Sequence, residues 1–283
     1  MKKWRSVFFV CLVLMLLTLQ VSADMGPKPR LTITVTNPPQ EPYYLDLLVQ
    51  NEGGYEPELD PQEYQASMLE DLRSLESEGW YPAYSGGHTY APLWGDLIGQ
   101  VSGENRTHTF GYVGLPDQYR IIIATESGEV QVSDIQTRKV LQSHITFDYP
   151  SCKVTSTPVW ISYLVQFACT FLSTLLIEGL ILCLFRFRLR ENWLVFLLMN
   201  LGTQILLTAT MGVSLIRYGT ISAYFTMVPV EGIILAAEVL ISIYLLHGYT
   251  KKRRALFALC ANLTSCITGF LLMSPIFQLI VSL

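Results

Sequence analysis

Three carboxylates, Glu178, Glu231 and Glu238, lie inside long apolar stretches of this 283-residue chain. An acid in bilayer hydrocarbon costs at least a few kcal/mol, so it turns toward a helix partner or a polar cavity. Amides and hydroxyls follow at related spacings: Asn200, Thr203 and Gln204 after Glu178, and Asn262 and Thr264 after Glu238. A protonated glutamate can donate to an asparagine carbonyl oxygen, and an asparagine amide can donate to a carboxylate. Two chemistries are open. One is hydrogen-bonding glue between helices, each contact worth roughly 0.6–2 kcal/mol. The other is a proton or cation path from Glu231 to Glu238 and Glu178. The path reading lacks a basic partner inside the apolar stretches, and it lacks the Gly/Pro-broken helices common in secondary transporters. Pro229 falls near a helix start, and Pro275 is placed to kink the last helix.

The elements that must carry these residues are four apolar stretches, at about 158–185, 193–216, 222–246 and 255–282. Each exceeds the ~20 residues needed to span a bilayer. Glu178 is followed by Asn200 after 22 residues, and Glu238 by Asn262 after 24. The spacing predicts two copies of one hairpin, a parallel repeat about an axis along the membrane normal. Counted from the flanking bases, the four residues all sit roughly 12–15 Å deep, so they could meet in one layer. Glu231, seven residues before Glu238, falls on the same face about 10 Å further out.

Arg186, Arg188 and Arg190 follow the first stretch, and Lys251 to Arg254 follow the third; only Arg217 follows the second. Basic loops stay in the cytoplasm. The prediction is two short cytoplasmic loops, with residues 24–157 and the C-terminus outside. Trp160, Tyr163, Tyr218 and Tyr224 then fall at the outer interface and Trp193 at the inner one. Residues 1–23 lead to the same orientation. Lys2, Lys3 and Arg5 precede an apolar core and the small-residue site Val21-Ser22-Ala23, as in a secretory signal peptide; an uncleaved anchor is the other reading.

Charge divides the rest of the chain. Residues 24–157 carry a net −11 and residues 158–283 a net +4. The expected domains are therefore a signal peptide at 1–23, an extracytoplasmic domain at 24–157 and a four-helix transmembrane domain at 158–283. Of six cysteines only Cys152 falls in the exported domain, so no disulfide can form within it; an intermolecular bridge is the alternative to a free thiol. Cys169, Cys183, Cys260 and Cys266 read as small apolar fillers.

The exported domain reads as α+β, an antiparallel sheet with one helix. Residues 31–36 alternate strictly with period two, and strands are also expected at 43–49, 119–125, 129–133 and 140–147, with a hairpin at Ser127-Gly128. Tyr64, Met68, Leu72 and Leu75 predict an amphipathic helix over 62–78, with Asp60 as its cap and Gly79 at its end. The stretch 150–158 reads as a short linker.

No catalytic constellation, metal-ligand set or cofactor motif stands out. His88, His108 and His144 are too far apart in sequence for ligand spacing and read as hydrogen-bonded or surface histidines. Glu52, Glu56, Glu58, Asp60 and Glu63 form an acidic loop without calcium-loop order. Trp80, Tyr81, Tyr84, Tyr90 and Trp94 form an aromatic segment that is either core or a ligand surface. No basic nucleic-acid surface is present.

The segment Ala23-Asp24-Met25-Gly26-Pro27-Lys28-Pro29, the β-rich region after it and the Glu…Asn-x-x-Thr-Gln…Glu hairpins together resemble uncharacterised membrane proteins of Gram-positive, clostridia-like bacteria. The resemblance implies the architecture and a bacterial host, which counts against Asn105-Arg106-Thr107 as a glycan site. It implies no activity. The functional expectation is an extracytoplasmic sensing or binding protein, or an accessory subunit, in contact with the lipid bilayer and with a membrane-protein partner or a second copy. The alternative is a small proton- or cation-coupled transporter.

Overall fold

A computed structural model describes residues 26–50, 53–55 and 59–283. The expected signal peptide, Cys11, and Glu52, Glu56 and Glu58 of the acidic loop lie outside the described residues. The chain has a β-rich N-terminal region followed by four long apolar helices.

The β-rich region carries β1 (Arg30–Thr36), β2 (Tyr43–Val49), β3 (Tyr81–Pro82), β4 (Trp94–Gly95), β5 (Gln100–Ser102), β6 (Asn105–Gly111), β7 (Gln118–Thr125), β8 (Val130–Val132), β9 (Gln136–Thr137), β10 (Gln142–Asp148) and β11 (Lys153–Ser156). They form two sheets. One runs β11-β10-β1-β6-β4, with β5 on β6; the other runs β3-β2-β7-β8, with β9 on β7. The alternation of β1 turns Leu31, Ile33 and Val35 into the core, whereas β2 is buried along its whole length. Both belong to one apolar cluster with Phe110, Ile121, Ile123 and Phe147.

All five expected strands are present, joined by β3, β4, β5, β6, β9 and β11, which were not expected. The pairing is antiparallel except between β1 and β10, which run parallel from Arg30↔Gln142 to Thr36↔Asp148. The expected linker contributes β11, which extends the sheet to within two residues of the first long helix. The expected helix over 62–78 is broken into a 3-10 turn (Pro61–Glu63), α1 (Ala66–Asp71) and a second 3-10 turn (Glu76–Glu78). Its apolar face still packs as the pattern requires, with Met68 and Leu72 buried and Tyr64 and Leu75 against them. The Asp60 carboxylate accepts from Gln62 N at 3.0 Å, and Gly79 closes the segment at φ 81°.

The long helices are α2 (Val159–Leu184), α3 (Leu189–Tyr218), α4 (Thr220–Leu245) and α5 (Lys251–Val281), each long and apolar enough to cross a membrane. Their polarity is inverted relative to a water-soluble bundle. On α2, Ser162, Gln166, Thr170 and Glu178 are buried while Leu172, Leu176, Leu180 and Leu184 face outward. Such a surface is stable only against lipid, and the chain is a membrane protein. α5 packs along both α2 and α4, and α3 closes the bundle. Within α3, residues Thr208–Gly212 form one π turn. The single residue Gly219, at φ 85°, joins α3 to α4.

At the far end, Asn192 ties two loops together. Its Nδ2 donates to Arg188 O at 3.0 Å and His247 O at 3.3 Å, and its Oδ1 accepts from His247 N at 2.7 Å. Arg253 donates to Phe185 O and Arg254 to Ile243 O, satisfying carbonyls at the C-terminal ends of α2 and α4.

Candidate functional site: the polar centre of the helix bundle

The helical period of the chain brings Glu178, Asn200, Glu238 and Asn262, one from each long helix, into the buried interior. Two carboxylates meet there under different conditions. Glu238 has a donor on each oxygen: Thr203 Oγ1 at 2.9 Å on Oε1 and Asn262 Nδ2 at 3.3 Å on Oε2. Glu178 receives Ser265 Oγ on Oε1 at 2.9 Å, and its Oε2 is buried without a partner.

The donors are related by position. Thr203 lies three residues after Asn200, and Ser265 three after Asn262. Each glutamate thus takes a hydroxyl from a helix of the other expected hairpin: Glu238 on α4 from α3, and Glu178 on α2 from α5. Asn200 lies within hydrogen-bonding reach of Glu178. Its own Nδ2 donates to Phe196 O at 2.9 Å, one helical turn back.

Gln204 continues the polar line outward, donating to Thr170 Oγ1, which Gln166 Nε2 also reaches at 3.3 Å. Room for Gln166 is made by Gly212 in the π turn, where an added Cβ would lie 2.6 Å from Gln166 Oε1. Glu231 lines two small cavities. One, about 20 Å³, also touches Glu178, Glu238, Asn262 and Ser265; the other, about 30 Å³, extends toward Met211 and Met227. Volumes of this size hold one or two waters at most, at roughly 10–15 Å³ each. Apolar clusters close both ends: Leu182, Phe196, Leu246 and Phe257 on the loop side, and Met211, Leu215, Met227 and Phe277 on the other.

Of the residues singled out in sequence, Glu178, Asn200, Thr203, Gln204, Glu231, Glu238 and Asn262 lie at or around this centre. Thr264 does not join them. It is exposed on α5 and bonds back to Cys260 O at 2.8 Å. Ser265, one residue on, takes its place, and Thr170 and Gln166 complete the line. The missed residues carried a signal: Gln166, Thr170, Thr174 and Glu178 recur at helical spacing on α2.

The aromatic segment divides. Trp80 and Tyr84 are core, with Arg120 over the Trp80 ring and Tyr84 edge-on to Phe110. Tyr81 stacks on His88 at 4.7 Å, and only Tyr90 and Trp94 are exposed, at 77% and 47%. The five rings therefore form no single surface. His108 is a buried structural histidine. Its Nδ1–H donates to Asp96 O at 3.0 Å, so its Nε2 accepts from Tyr43 Oη at 3.1 Å. Burial drives its pKa down from 6.5 to about 4. His144 bonds Thr34 at 3.0 Å, and among the described residues no three His, Cys, Asp or Glu side chains converge as metal ligands. Cys152 is a free thiol, donating to Gln131 Oε1 at 2.6 Å. Burial holds the Asp46 carboxyl above its ordinary range, offset in part by backbone N–H groups of Ser85, Leu47 and Tyr84.

No known protein family, curated protein or solved structure matches this chain.

Proposed function

We propose that the protein is a membrane-anchored sensing or binding unit, or an accessory subunit of a membrane complex, whose β-rich region lies outside the cytoplasm. The joint between that region and the helices carries this reading. Leu141 N donates to Ile216 O at 2.9 Å, Leu141 O accepts from Arg30 N at 3.0 Å, and the Leu141 side chain is buried among Leu215, Ile216 and Ala223 of the bundle. Thr157 Oγ1 reaches Leu283 O at 2.8 Å. A β-rich unit seated this firmly passes a change in its own packing to the helix ends. The loops at the opposite end are a few residues long, so any output runs through the helices to a partner. The grouping of bases at that end supports the orientation.

Two experiments test the reading. A photo-crosslinking residue is placed at Tyr90 and, separately, at Leu172 on the lipid-facing ridge of α2, in native membranes. A discrete adduct with another membrane protein is expected from Leu172; lipid adducts alone at both positions would remove the accessory role. In a cysteine-free background, Ser127→Cys and Ser282→Cys are expected to react with an impermeant maleimide on intact cells, and Lys252→Cys is not. The reverse pattern would invert the orientation.

Cation-coupled transport is the second reading, favoured by one observation: Glu231 borders both interior cavities. Proton or cation flux in reconstituted vesicles that disappears in Glu238→Gln would establish it over the sensing role.

A further inference from the structure

The sheet β11-β10-β1-β6-β4 stands with one end on the bundle. Its register puts Gln142, Arg30, Gly111 and Trp94 together at that end. The residues leading into β10 and β1 meet the helices at different places. Leu141, before β10, is buried among Leu215, Ile216 and Ala223. Gly26 and Pro27, before β1, lie on the start of α4: a Cβ on Gly26 would meet Ile221 Cδ1 at 2.8 Å, and one on Gly219 would meet Pro27 Cγ at 2.8 Å. Ile221 and Phe225 belong to the outward, lipid-facing side of α4. The step from β10 to β1 therefore runs from the bundle interior to its lipid face. β6 and β4 continue in that direction, each about 4.8 Å further, and so overhang the lipid beside α4.

The overhanging edge is apolar. Past the end of β6, Tyr112 N donates to Pro29 O at 3.0 Å and Gly114 N to Pro92 O at 2.8 Å. Tyr112 and Val113 are thereby level with the Pro27–Pro29 segment, and so with the joint between α3 and α4. Leu93 and Leu115 turn into the core and pin the two segments there, while Tyr90, Trp94 and Val113 face outward, Val113 at 58% exposure. The Trp94 ring lies across Gly111, where an added Cβ would meet its Cζ2 at 3.0 Å. Bases surround this edge, although residues 24–157 carry a net −11. Lys28 Nζ lies 5.7 Å from the centroid of the Tyr112 ring, and Arg30, Lys139 and Arg217 are exposed around the same joint.

We propose that residues 90–94 and 112–115 form a second membrane contact, an aromatic and aliphatic lip that dips to the boundary of headgroups and acyl chains beside α4. Trp and Tyr rings favour that depth, and Lys and Arg there meet anionic headgroups. A contiguous apolar edge rimmed by bases, continuous with the lipid-facing side of α4, fits a lipid surface. The other end of the sheet supplies the contrast. Val101 is exposed too, but it pairs with Arg106 and so lies level with Val35, five residues along β1 from Arg30. That is about 17 Å further from the bundle at ~3.4 Å per residue, out of reach of lipid. The lip braces the β-rich region against the membrane at a place separate from Leu141. It stands on whichever side of the membrane that region lies, and whether or not the region binds a ligand.

The test places a nitroxide label on Val113→Cys in the cysteine-free full chain, in vesicles of phosphatidylcholine and phosphatidylglycerol. Its collisions with oxygen, which dissolves in lipid, are compared with its collisions with a water-soluble nickel chelate. Labels on Phe225→Cys and Val101→Cys set the lipid and water limits. The oxygen-to-nickel ratio at 113 is expected to exceed that at 101 several-fold and to approach that at 225. A ratio at 113 indistinguishable from that at 101 overturns the proposal. Should Val113→Cys fail to fold, a diazirine-bearing phenylalanine in place of Trp94 keeps a ring there and gives a second reading, with phospholipid adducts expected. An adduct at 94 with another protein or a second copy overturns the proposal in favour of a protein contact, and the absence of any adduct overturns it in favour of open solvent.

Discussion

Individual side chains make sharp claims because each buried polar atom must be accounted for. His108 is neutral in the folded chain, with its pKa lowered by burial from 6.5 to about 4. An unfolded chain binds a proton there in this interval and the folded chain does not. The contribution is therefore fully present above pH 6.5 and is lost as pH falls toward 4, a difference of about 3 kcal/mol. Chemical unfolding of the parent and of His108→Phe across that range is expected to show the slope in the parent alone. In the bundle, adjacent hydroxyls separate by face. Ser265→Ala removes a donor from Glu178 and is expected to cost about 1 kcal/mol. Thr264→Ala, on an exposed hydroxyl bonded to its own helix, is expected to stay within about 0.5 kcal/mol. Equal losses in detergent unfolding would show that Ser265 contributes nothing through Glu178.

At the scale of elements, the turns decide what the helices can do. Gly219 joins α3 to α4 alone, at φ 85° and ψ −176°, a conformation essentially restricted to glycine. A Cβ there would also meet Leu141 Cδ2 at 2.7 Å and Pro27 Cγ at 2.8 Å. Gly219→Ala is therefore expected to destabilise the protein by about 1–3 kcal/mol or more, from strain alone. Gly202→Ala and Gly232→Ala meet nothing within 4 Å and are expected to leave the melting temperature almost unchanged. Comparison of the three in one detergent checks this. The π turn belongs to the same scale: it admits Gln166 beside Gly212 and so extends the polar line along α2 and α3.

For the whole molecule, the question is whether the β-rich region and the bundle unfold together. Leu141 belongs to both, by a backbone bond to each and a side chain buried in the bundle. Leu141→Asp places a charge in that contact while leaving the core of the β-rich region untouched. Calorimetry is expected to give one transition for the parent and two for the variant. Two transitions in the parent would mean that the joint carries no coupling, and the sensing proposal would lose its mechanical basis.

The membrane character, the number of helices and the alternation of β1 were legible in the sequence, because each is set by local periodicity against one solvent or another. Apart from Gln166, the acids and amides at the centre of the bundle were legible for the same reason, since a polar side chain in a lipid-spanning stretch must turn inward. Their partners were not. Whether Ser265 or Thr264 meets Glu178 and which aromatics of the 80–94 segment reach solvent both depend on helix rotation and sheet register. The parallel pairing of β1 with β10 joins residues more than 100 positions apart. No local pattern encodes such choices. They are made when packing and hydrogen-bond satisfaction are resolved over the whole chain at once, and only the tertiary structure holds that result.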